Sequence, residues 1–313
     1  METEIVSNLI VLAVSMVFLL KGADAFLDSS IKLARHYGIS ELIISLTLVS
    51  LATSLPELGV SMISALIGNS SFSVSNIVGS GIVNICIIIG VPALFVTTQV
   101  HRKVIERDCI ALVVAYLMLL AAFVSGSTNM FIGIAFLIAY LVYLYYLYHH
   151  NKKEEVVKEE DSEVWKQFGI LALGVLGVYV GSHFSVEAAI NLSRAAGLSE
   201  WFIGATMLAF GTSLPELSVV FQAMRKKKAV MSIGTAIGSN VFNVLVIIGA
   251  ASIVTPLTLA FEEIWFDLIV LIASAVVLTA RMSLGQHIGK KDGYYLLLLY
   301  CMYLLYLFFF RLA

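Results

Sequence analysis

The chain has 313 residues, of which 60% are hydrophobic and 13% are charged, and its formal net charge is −2. A charged fraction near half that of an average soluble domain, with a mean hydropathy of +0.96, excludes a soluble globular protein and predicts a polytopic membrane protein. At about 30 residues for each helix and its loop, the chain has room for roughly ten spans.

Ten apolar runs of spanning length follow one another along the chain. The first five lie at 5–35, 39–67, 71–97, 104–124 and 127–149, and the second five at 164–195, 199–224, 230–253, 260–281 and 292–311. A polar stretch rich in lysine and glutamate separates the two sets and is typical of a solvated linker. We therefore expect a five-helix repeat at 1–150, a linker at 151–163 and a second five-helix repeat at 164–313.

Basic residues predict the orientation of these spans. With ten spans, nearly all lysine and arginine residues fall on the face that carries the 151–163 linker, and the opposite face receives only Arg194 and Arg311. Because cytoplasmic loops carry the excess of basic residues, this distribution places both termini outside the cell and the linker in the cytoplasm. We expect a multi-pass protein of the plasma membrane, embedded in the lipid bilayer.

An internal repeat relates the two sets of spans. Shifting the sequence by 159 residues aligns Gly22–Gly90 with the second half without a gap, and about a third of the positions are identical. The motif ATSLPEL at 52–58 returns as GTSLPEL at 211–217. Five spans separate equivalent positions, which is an odd number, so the two repeats must cross the membrane in opposite directions. The sequence thus predicts an all-α membrane protein of ten transmembrane helices in two inverted five-helix repeats.

The repeated motif places polar groups on one face of a helix inside an apolar span. Residues spaced at i, i+3, i+4 and i+7 share a helix face, and the two sets with this spacing are Ser50, Thr53, Ser54 and Glu57, and Ala209, Thr212, Ser213 and Glu216. Pro56 and Pro215 lack an N–H group, so we expect unpaired backbone carbonyls around Ser50 and Ala209. Charged groups and open carbonyls at membrane depth are costly and indicate function.

The next span of each repeat adds a serine and an asparagine one turn apart. These are Ser80 with Asn84 and Ser239 with Asn243. Together with the motif they offer carboxylate, hydroxyl, amide and carbonyl oxygens, and no Cys, His or Met stands at the repeated positions. Such a set suits the hard cations Ca²⁺ and Na⁺ and argues against Zn²⁺ or Cu⁺. Two carboxylates neutralise one divalent or two monovalent ions, which favours mutually exclusive occupancy.

The doubled TSLPEL, each copy followed by GSxxxN, resembles the two α-repeats of the Na⁺/Ca²⁺ exchanger family of the Ca²⁺/cation antiporter superfamily. The resemblance covers essentially the whole chain and implies exchange of Ca²⁺ for Na⁺ by alternating access, in which the first and sixth helices slide across the rest. It implies Glu57 and Glu216 as central ligands. The resemblance further implies ligands among Thr53, Ser54, Thr212, Ser213, Ser80, Ser239, Asn84 and Asn243 and the carbonyls of Ser50 and Ala209.

The sequence departs from the family pattern in a few places. Ala52 replaces the glycine seen at Gly211, and Gly81 replaces the asparagine seen at Asn240. Asn243 stands where some relatives carry aspartate, which weakens the case for K⁺-dependent transport. The two glutamates keep H⁺/Ca²⁺ or other divalent cation/proton exchange open as an alternative.

Other classes of function fit less well. A serine hydrolase needs a base within reach of its nucleophile, and no histidine or lysine lies near either motif in sequence, so we expect no enzyme. The inverted repeat disfavours a channel. We expect no cofactor, no nucleic-acid partner and no obligatory protein partner, only Ca²⁺ and Na⁺ as transported substrates.

Overall fold

The computed structural model describes residues 2–36, 50–100, 102, 104–150, 164–217, 220 and 229–312. Within these residues, eight helices are long and apolar enough to cross a membrane. They coincide with the predicted spans 1, 3, 4, 5, 6, 8, 9 and 10. The predicted linker at 151–163 and parts of spans 2 and 7 lie outside the described residues.

The helices and strands follow in chain order. They are α1 (Glu2–His36), α2 (Ser50–Thr53), α3 (Leu55–Leu66), α4 (Ser70–Ala93), β1 (Thr98–Gln99), α5 (Val104–Val124), α6 (Met130–His150) and α7 (Val164–Ala196), then α8 in three segments (Glu200–Ile203, Gly204–Leu208, Ala209–Thr212), α9 in three segments (Ala229–Phe242, Asn243–Ile248, Gly249–Val254), α10 (Phe261–Gly285), β2 (His287–Ile288) and α11 (Lys290–Phe310). The all-α prediction is confirmed, with one short strand pair added. Helix α4 is mostly buried, whereas α1, α6 and α11 are mostly exposed on the outside of the bundle.

The two helices that carry the repeated motif are interrupted at equivalent residues. Helix α2 ends at Thr53 and α3 begins at Leu55, and α8 ends at Thr212 before residues 214–217 turn helical again. The interruption therefore falls on Ser54 and Ser213. Pro56 lies in the first turn of α3, where its missing N–H costs no hydrogen bond. The proline of the motif thus ends one helical segment and starts the next.

Helices α4 and α9 each widen into a π-helical segment at the same place in the repeat. The segments are Asn84–Ile89 and Asn243–Ile248, which are 159 residues apart. Each begins at the asparagine that the sequence predicts as a ligand. Single π-helical turns inside α-helices often lie at functional sites, because they rotate the side chains that follow.

Loop pairing shows the inversion of the repeats. At one end of the bundle Ser127, after α5, bridges Thr258 in the loop before α10. At the other end β1 pairs antiparallel with β2, and the Val100 N–H donates to the Gln286 carbonyl at 2.8 Å. Under the 159-residue shift, Ser127 is equivalent to Gln286, and Gln99 is equivalent to Thr258. The two loop pairs are therefore the same pair of loops with the repeats exchanged. Helix α5 separates the two ends, so equivalent loops pair at opposite ends of the bundle.

Helices α1 and α7, which are the first helices of the two repeats, pack backbone against backbone. A Cβ atom on Gly22 would lie 2.6 Å from the Val178 nitrogen, and one on Gly181 would lie 2.5 Å from the Leu19 nitrogen. Only glycine permits such an approach, as at other close helix crossings in membranes. The pair also presents large apolar side chains outward, such as Phe18 and Leu176.

Two buried aspartates that the sequence analysis did not identify lie at equivalent positions in α5 and α10. Asp108 accepts from Tyr143 at 3.0 Å and pairs with Arg107. Asp267, which is 159 residues later, accepts from Tyr303 at 2.8 Å and pairs with Arg311. In each repeat a tyrosine from the following helix and an arginine satisfy the carboxylate. Each buried carboxylate thus has the charged and hydrogen-bonding partners that burial of a charge requires.

Candidate cation-binding site

The carboxylates of the two motifs are held by hydroxyls of the opposite repeat. Ser213 Oγ donates to Glu57 Oε1 at 3.0 Å, and Ser54 Oγ donates to Glu216 Oε1 at 3.2 Å. These two bonds are equivalent under the 159-residue shift. Because each serine lies where its helix is interrupted, its side chain reaches across to the other repeat. The two glutamates and two serines therefore form one cluster with approximate two-fold symmetry.

The threonines of the motifs contact the serines of α4 and α9 in the same reciprocal way. Thr53 Oγ1 lies 3.4 Å from Ser239 Oγ, and Thr212 Oγ1 lies 3.5 Å from Ser80 Oγ. All four side chains are buried. Four hydroxyls from four helical segments thus surround the carboxylate cluster.

Glu57 and Glu216 are fully buried and close enough to interact electrostatically. Each accepts a hydrogen bond on Oε1, whereas Oε2 of each is buried without a hydrogen-bond partner among the described residues. No lysine, arginine or histidine of the described part of the chain pairs with either carboxylate. A buried charge needs a partner, so this pair of acids matches a cationic ligand.

At the second interruption the carbonyl of Ala209 is paired. The Ala209 carbonyl accepts from the Ser213 N–H at 3.2 Å and from Ser80 Oγ at 3.4 Å, so it is not left unpaired as the proline led us to expect. Ser50 begins α2, and its side chain lies outside the described features. A carbonyl oxygen has two lone pairs and offers a ligand when a weak hydroxyl donor turns away.

The amides of the site are arranged without symmetry. Asn84 Nδ2 donates to Asn240 Oδ1 at 2.9 Å, and Asn240 Nδ2 donates to the Gly81 carbonyl at 3.3 Å. Asn243 is buried, and neither its Oδ1 nor its Nδ2 has a partner among the described residues. Directly after the site serine, repeat one carries Gly81 where repeat two carries Asn240.

Two asparagines that the sequence analysis did not assign to the site belong to it. Asn76 donates to the Glu57 carbonyl at 3.4 Å and accepts from Thr212 Oγ1 at 3.3 Å, and Asn240 contacts Asn84. Asn76 lies four residues before Ser80, on the same helix face. The polar stripe of Asn76, Ser80 and Asn84 at i, i+4 and i+8 could therefore have identified Asn76 from the sequence.

The fold brings most of the predicted ligands close together. The two glutamates, the motif serines and threonines, and Ser80 and Ser239 form four contacting pairs, each of which joins the two repeats. Asn84 and Asn243 lie one turn further along α4 and α9. No group of three or more His, Cys, Asp or Glu side chains meets within the described ranges. The oxygens are thus mostly neutral, with two carboxylates at their centre.

Comparison with known proteins assigns the chain to a family. The model of the sodium/calcium exchanger protein family matches residues 7–149 and 166–309. Sodium/calcium exchanger MaX1 of Methanosarcina acetivorans is 29% identical over 96% of this chain and 99% of its own length. Inner membrane protein YrbG of Escherichia coli is 28% identical over 78% of this chain and 79% of its own.

Solved structures of the sodium-calcium exchanger NCX_Mj share the fold. For crystals soaked with Na⁺ and Sr²⁺, the TM-score is 0.68 at 26% identity, with 95% of this chain and 98% of that chain covered. A second soak of NCX_Mj, with Na⁺ and Ca²⁺, gives a TM-score of 0.70 at 25% identity. The match over both repeats, the inverted loop pairing and the shared fold lead to one conclusion: the chain belongs to the sodium/calcium exchanger protein family and is a multi-pass membrane cation exchanger.

Proposed function

We propose that the protein exchanges Ca²⁺ for Na⁺ across the plasma membrane, with both ions using the oxygen cluster around Glu57 and Glu216. The observation that carries this proposal is the pair of buried carboxylates, each held on one oxygen by a serine of the other repeat and unpartnered on the other oxygen among the described residues. The serine fixes the orientation of the carboxylate, and the second oxygen is left to bind a cation.

The charge of the site suits exchange of these two ions. Two carboxylates balance one Ca²⁺ or two Na⁺, so either load leaves the buried site neutral, whereas both loads together would leave it strongly positive. Burying net charge is expensive. This electrostatic limit makes the two loads exclude each other, and exchange follows when each load is released on a different side.

The chemistry of the donors favours hard ions. Carboxylate, hydroxyl and amide oxygens bind Ca²⁺ in flexible arrangements of six to eight ligands. The cluster offers at least that many oxygens from Glu57, Glu216, Thr53, Thr212, Ser54, Ser213, Ser80, Ser239, Asn84 and Asn243, with the backbone carbonyls of Ser50 and Ala209 in addition. The structures of NCX_Mj come from crystals soaked with Na⁺, Sr²⁺ or Ca²⁺ and concern extracellular ion exchange and binding-site occlusion in that protein.

We infer that transport proceeds by alternating access, with the site near the middle of the membrane. Inverted repeats can exchange roles, so that one arrangement opens the site outward and the mirrored one opens it inward. Helices α1 and α7 are the candidates for the moving pair, as the family resemblance implies. Their mutual packing through Gly22 and Gly181 and their exposed outer faces support movement as one unit.

Proton-coupled exchange is the second candidate. The same observation supports it, since buried carboxylates without a cationic side-chain partner among the described residues are of the kind that carries protons in transporters. Asn84 and Asn243 do not titrate, so Glu57 and Glu216 would have to carry the protons in that case. We infer that the protein is a transporter and not an enzyme, and that it needs no cofactor or obligatory protein partner.

A flux assay tests the proposal. Purified protein in liposomes loaded with Na⁺ should take up Ca²⁺ when diluted into medium free of Na⁺, and a K⁺ or H⁺ gradient alone should drive no uptake. Uptake that follows a pH gradient and ignores Na⁺ would establish proton coupling instead. Intact protein that moves Ca²⁺ under neither gradient would refute both forms of the proposal.

A further inference from the structure

The amides of Asn84 and Asn243 occupy equivalent places in the two repeats but have different surroundings. Asn84 donates through Nδ2 to Asn240 at 2.9 Å, whereas neither side-chain atom of Asn243 has a partner among the described residues. Both side chains are buried. Both repeats carry an asparagine at this place, but the hydrogen bonds that hold the two side chains therefore differ.

One substitution between the repeats accounts for this difference. Repeat two carries Asn240 directly after the site serine, and repeat one carries Gly81. Asn240 reaches across the interface to Asn84, but Gly81 offers no side chain to Asn243. A Cβ atom at position 81 would lie 2.6 Å from Leu271 Cδ1, so Leu271 would have to shift to admit a side chain there.

The contact with Gly81 also sets the direction of the amides. A backbone carbonyl only accepts hydrogen bonds, so Asn240 must turn its NH₂ group toward the Gly81 oxygen, 3.3 Å away. Its Oδ1 then faces Asn84, which must present its own NH₂ group at 2.9 Å. Asn84 Oδ1 is thereby turned the other way, where it is buried without a partner among the described residues.

We propose that Asn240 is a positioning residue that holds Asn84 with its oxygen toward the transported cation. This inference rests on the proposed cation site. Asn84 lies one turn beyond Ser80, whose hydroxyl contacts Thr212, so its oxygen extends the cluster of donors. An amide oxygen is a ligand for a hard cation, whereas an NH₂ group in its place repels one. Asn240 thus fixes the orientation of Asn84, whereas no such contact among the described residues fixes Asn243.

The two hydrogen bonds from Asn240 to Gly81 and from Asn84 to Asn240 form a relay. The test replaces Asn240 by leucine, which has a similar volume and cannot form this relay. We expect the apparent affinity for Ca²⁺ to fall about tenfold in Asn240→Leu, since a hydrogen bond worth roughly 1.4 kcal/mol no longer selects the binding orientation of Asn84. A role in packing alone would instead lower stability without changing the affinity.

A double-mutant cycle with Asn84→Ala shows whether Asn240 acts through Asn84. Affinities are measured in detergent by titrating Ca²⁺, and separately Na⁺, and following the Tm, so that the measurement does not depend on transport. Asn84→Ala and Asn84→Ala/Asn240→Leu should bind equally weakly. Additive losses, or an unchanged affinity in Asn240→Leu, would overturn the inference. Failure of Na⁺-driven uptake while Ca²⁺ still binds would count against the proposed exchange alone.

A measurement on unmodified protein covers the case in which Asn240→Leu does not fold. In protein labelled with ¹⁵N-asparagine, the side-chain amide signals that vanish in Asn84→Ala and in Asn243→Ala identify the two residues. The hydrogen-bonded NH₂ group of Asn84 should exchange with deuterium more slowly than that of Asn243. Equal exchange rates would contradict the relay.

Discussion

Ser54 donates a hydrogen bond of 3.2 Å to Glu216, a residue 162 positions later in the chain and in the opposite repeat. The equivalent hydrogen bond between the repeats runs from Ser213 to Glu57. Each repeat thus supplies one carboxylate and orients the other, so neither repeat alone forms the site. This interdependence is the basis of the first two predictions.

Replacing either glutamate by glutamine should abolish Ca²⁺ transport. Glu57→Gln and Glu216→Gln keep the size and one oxygen of the side chain but remove half of the charge that neutralises a divalent ion. We expect Na⁺-driven Ca²⁺ uptake in liposomes to fall to the level of empty vesicles in both variants. Glu106→Gln is the matched control, since Glu106 is exposed and pairs with Arg102 at the surface, and it should transport normally. Wild-type uptake by either site variant would refute a shared site.

The two motif serines should matter equally. Ser54→Ala and Ser213→Ala each remove a hydrogen bond to a buried carboxylate, and we expect each to weaken the apparent affinity for Ca²⁺ by about tenfold or more. Ser252→Ala is the control, because Ser252 is buried and its hydroxyl has no partner among the described residues. The dependence of the uptake rate on the Ca²⁺ concentration gives the apparent affinity of each of the three variants. A loss confined to one serine would show that the carboxylates are oriented in different ways.

A methyl group at the contact of α1 and α7 should disturb the packing of these helices. The Cβ of Gly22→Ala would lie 2.6 Å from a backbone nitrogen, a distance that forces the helices apart. We expect a lower Tm in detergent and slower transport. Gly169→Ala on α7 is the control, since nothing lies within 4 Å of its Cβ among the described residues, and it should be as stable as the unmodified protein or slightly more so. Equal behaviour of the two variants would contradict the tight crossing.

Removing Asp267 should destabilise the protein without altering the site. The residue is fully buried and accepts from Trp201, Tyr303 and Arg311, so Asp267→Ala leaves these donors unpaired. We expect a loss of about 3 kcal/mol in the free energy of unfolding, seen as a drop in Tm. Asp24→Ala removes an exposed ion pair with Lys21 and should have almost no effect. An unchanged Tm in Asp267→Ala would show that the contacts of Asp267 with its three donors add nothing to stability.

Single cysteines should report the orientation. Cys86 and Cys109 are buried and Cys301 is exposed, so Cys301→Ala provides a background with little reactivity. In intact cells a membrane-impermeant maleimide should label Ser125→Cys, and it should reach Glu155→Cys in the linker only after the membrane is opened. Labelling in the reverse pattern would place the termini in the cytoplasm.

Much of the architecture follows from the sequence because the membrane allows few solutions. A lipid environment demands helices that satisfy their own backbone, so the apolar runs translate directly into spans. The 159-residue repeat, read with an odd number of spans, then requires inversion. One site shared by Glu57 and Glu216 could be predicted, because duplicated polar residues in lipid must meet to be satisfied.

The tertiary structure decided what depends on distances between repeats. Sequence spacing shows which residues share a helix face, but it does not show that Ser54 turns toward Glu216 and not toward its own Glu57. The relay from Gly81 to Asn84 arises from a side chain that one repeat lacks and from close packing around position 81. The paired aspartates could not be identified from the sequence, because their tyrosine partners lie 35 and 36 residues away in the chain. The arginine that pairs with Asp267 is distant as well, whereas the one that pairs with Asp108 is its neighbour.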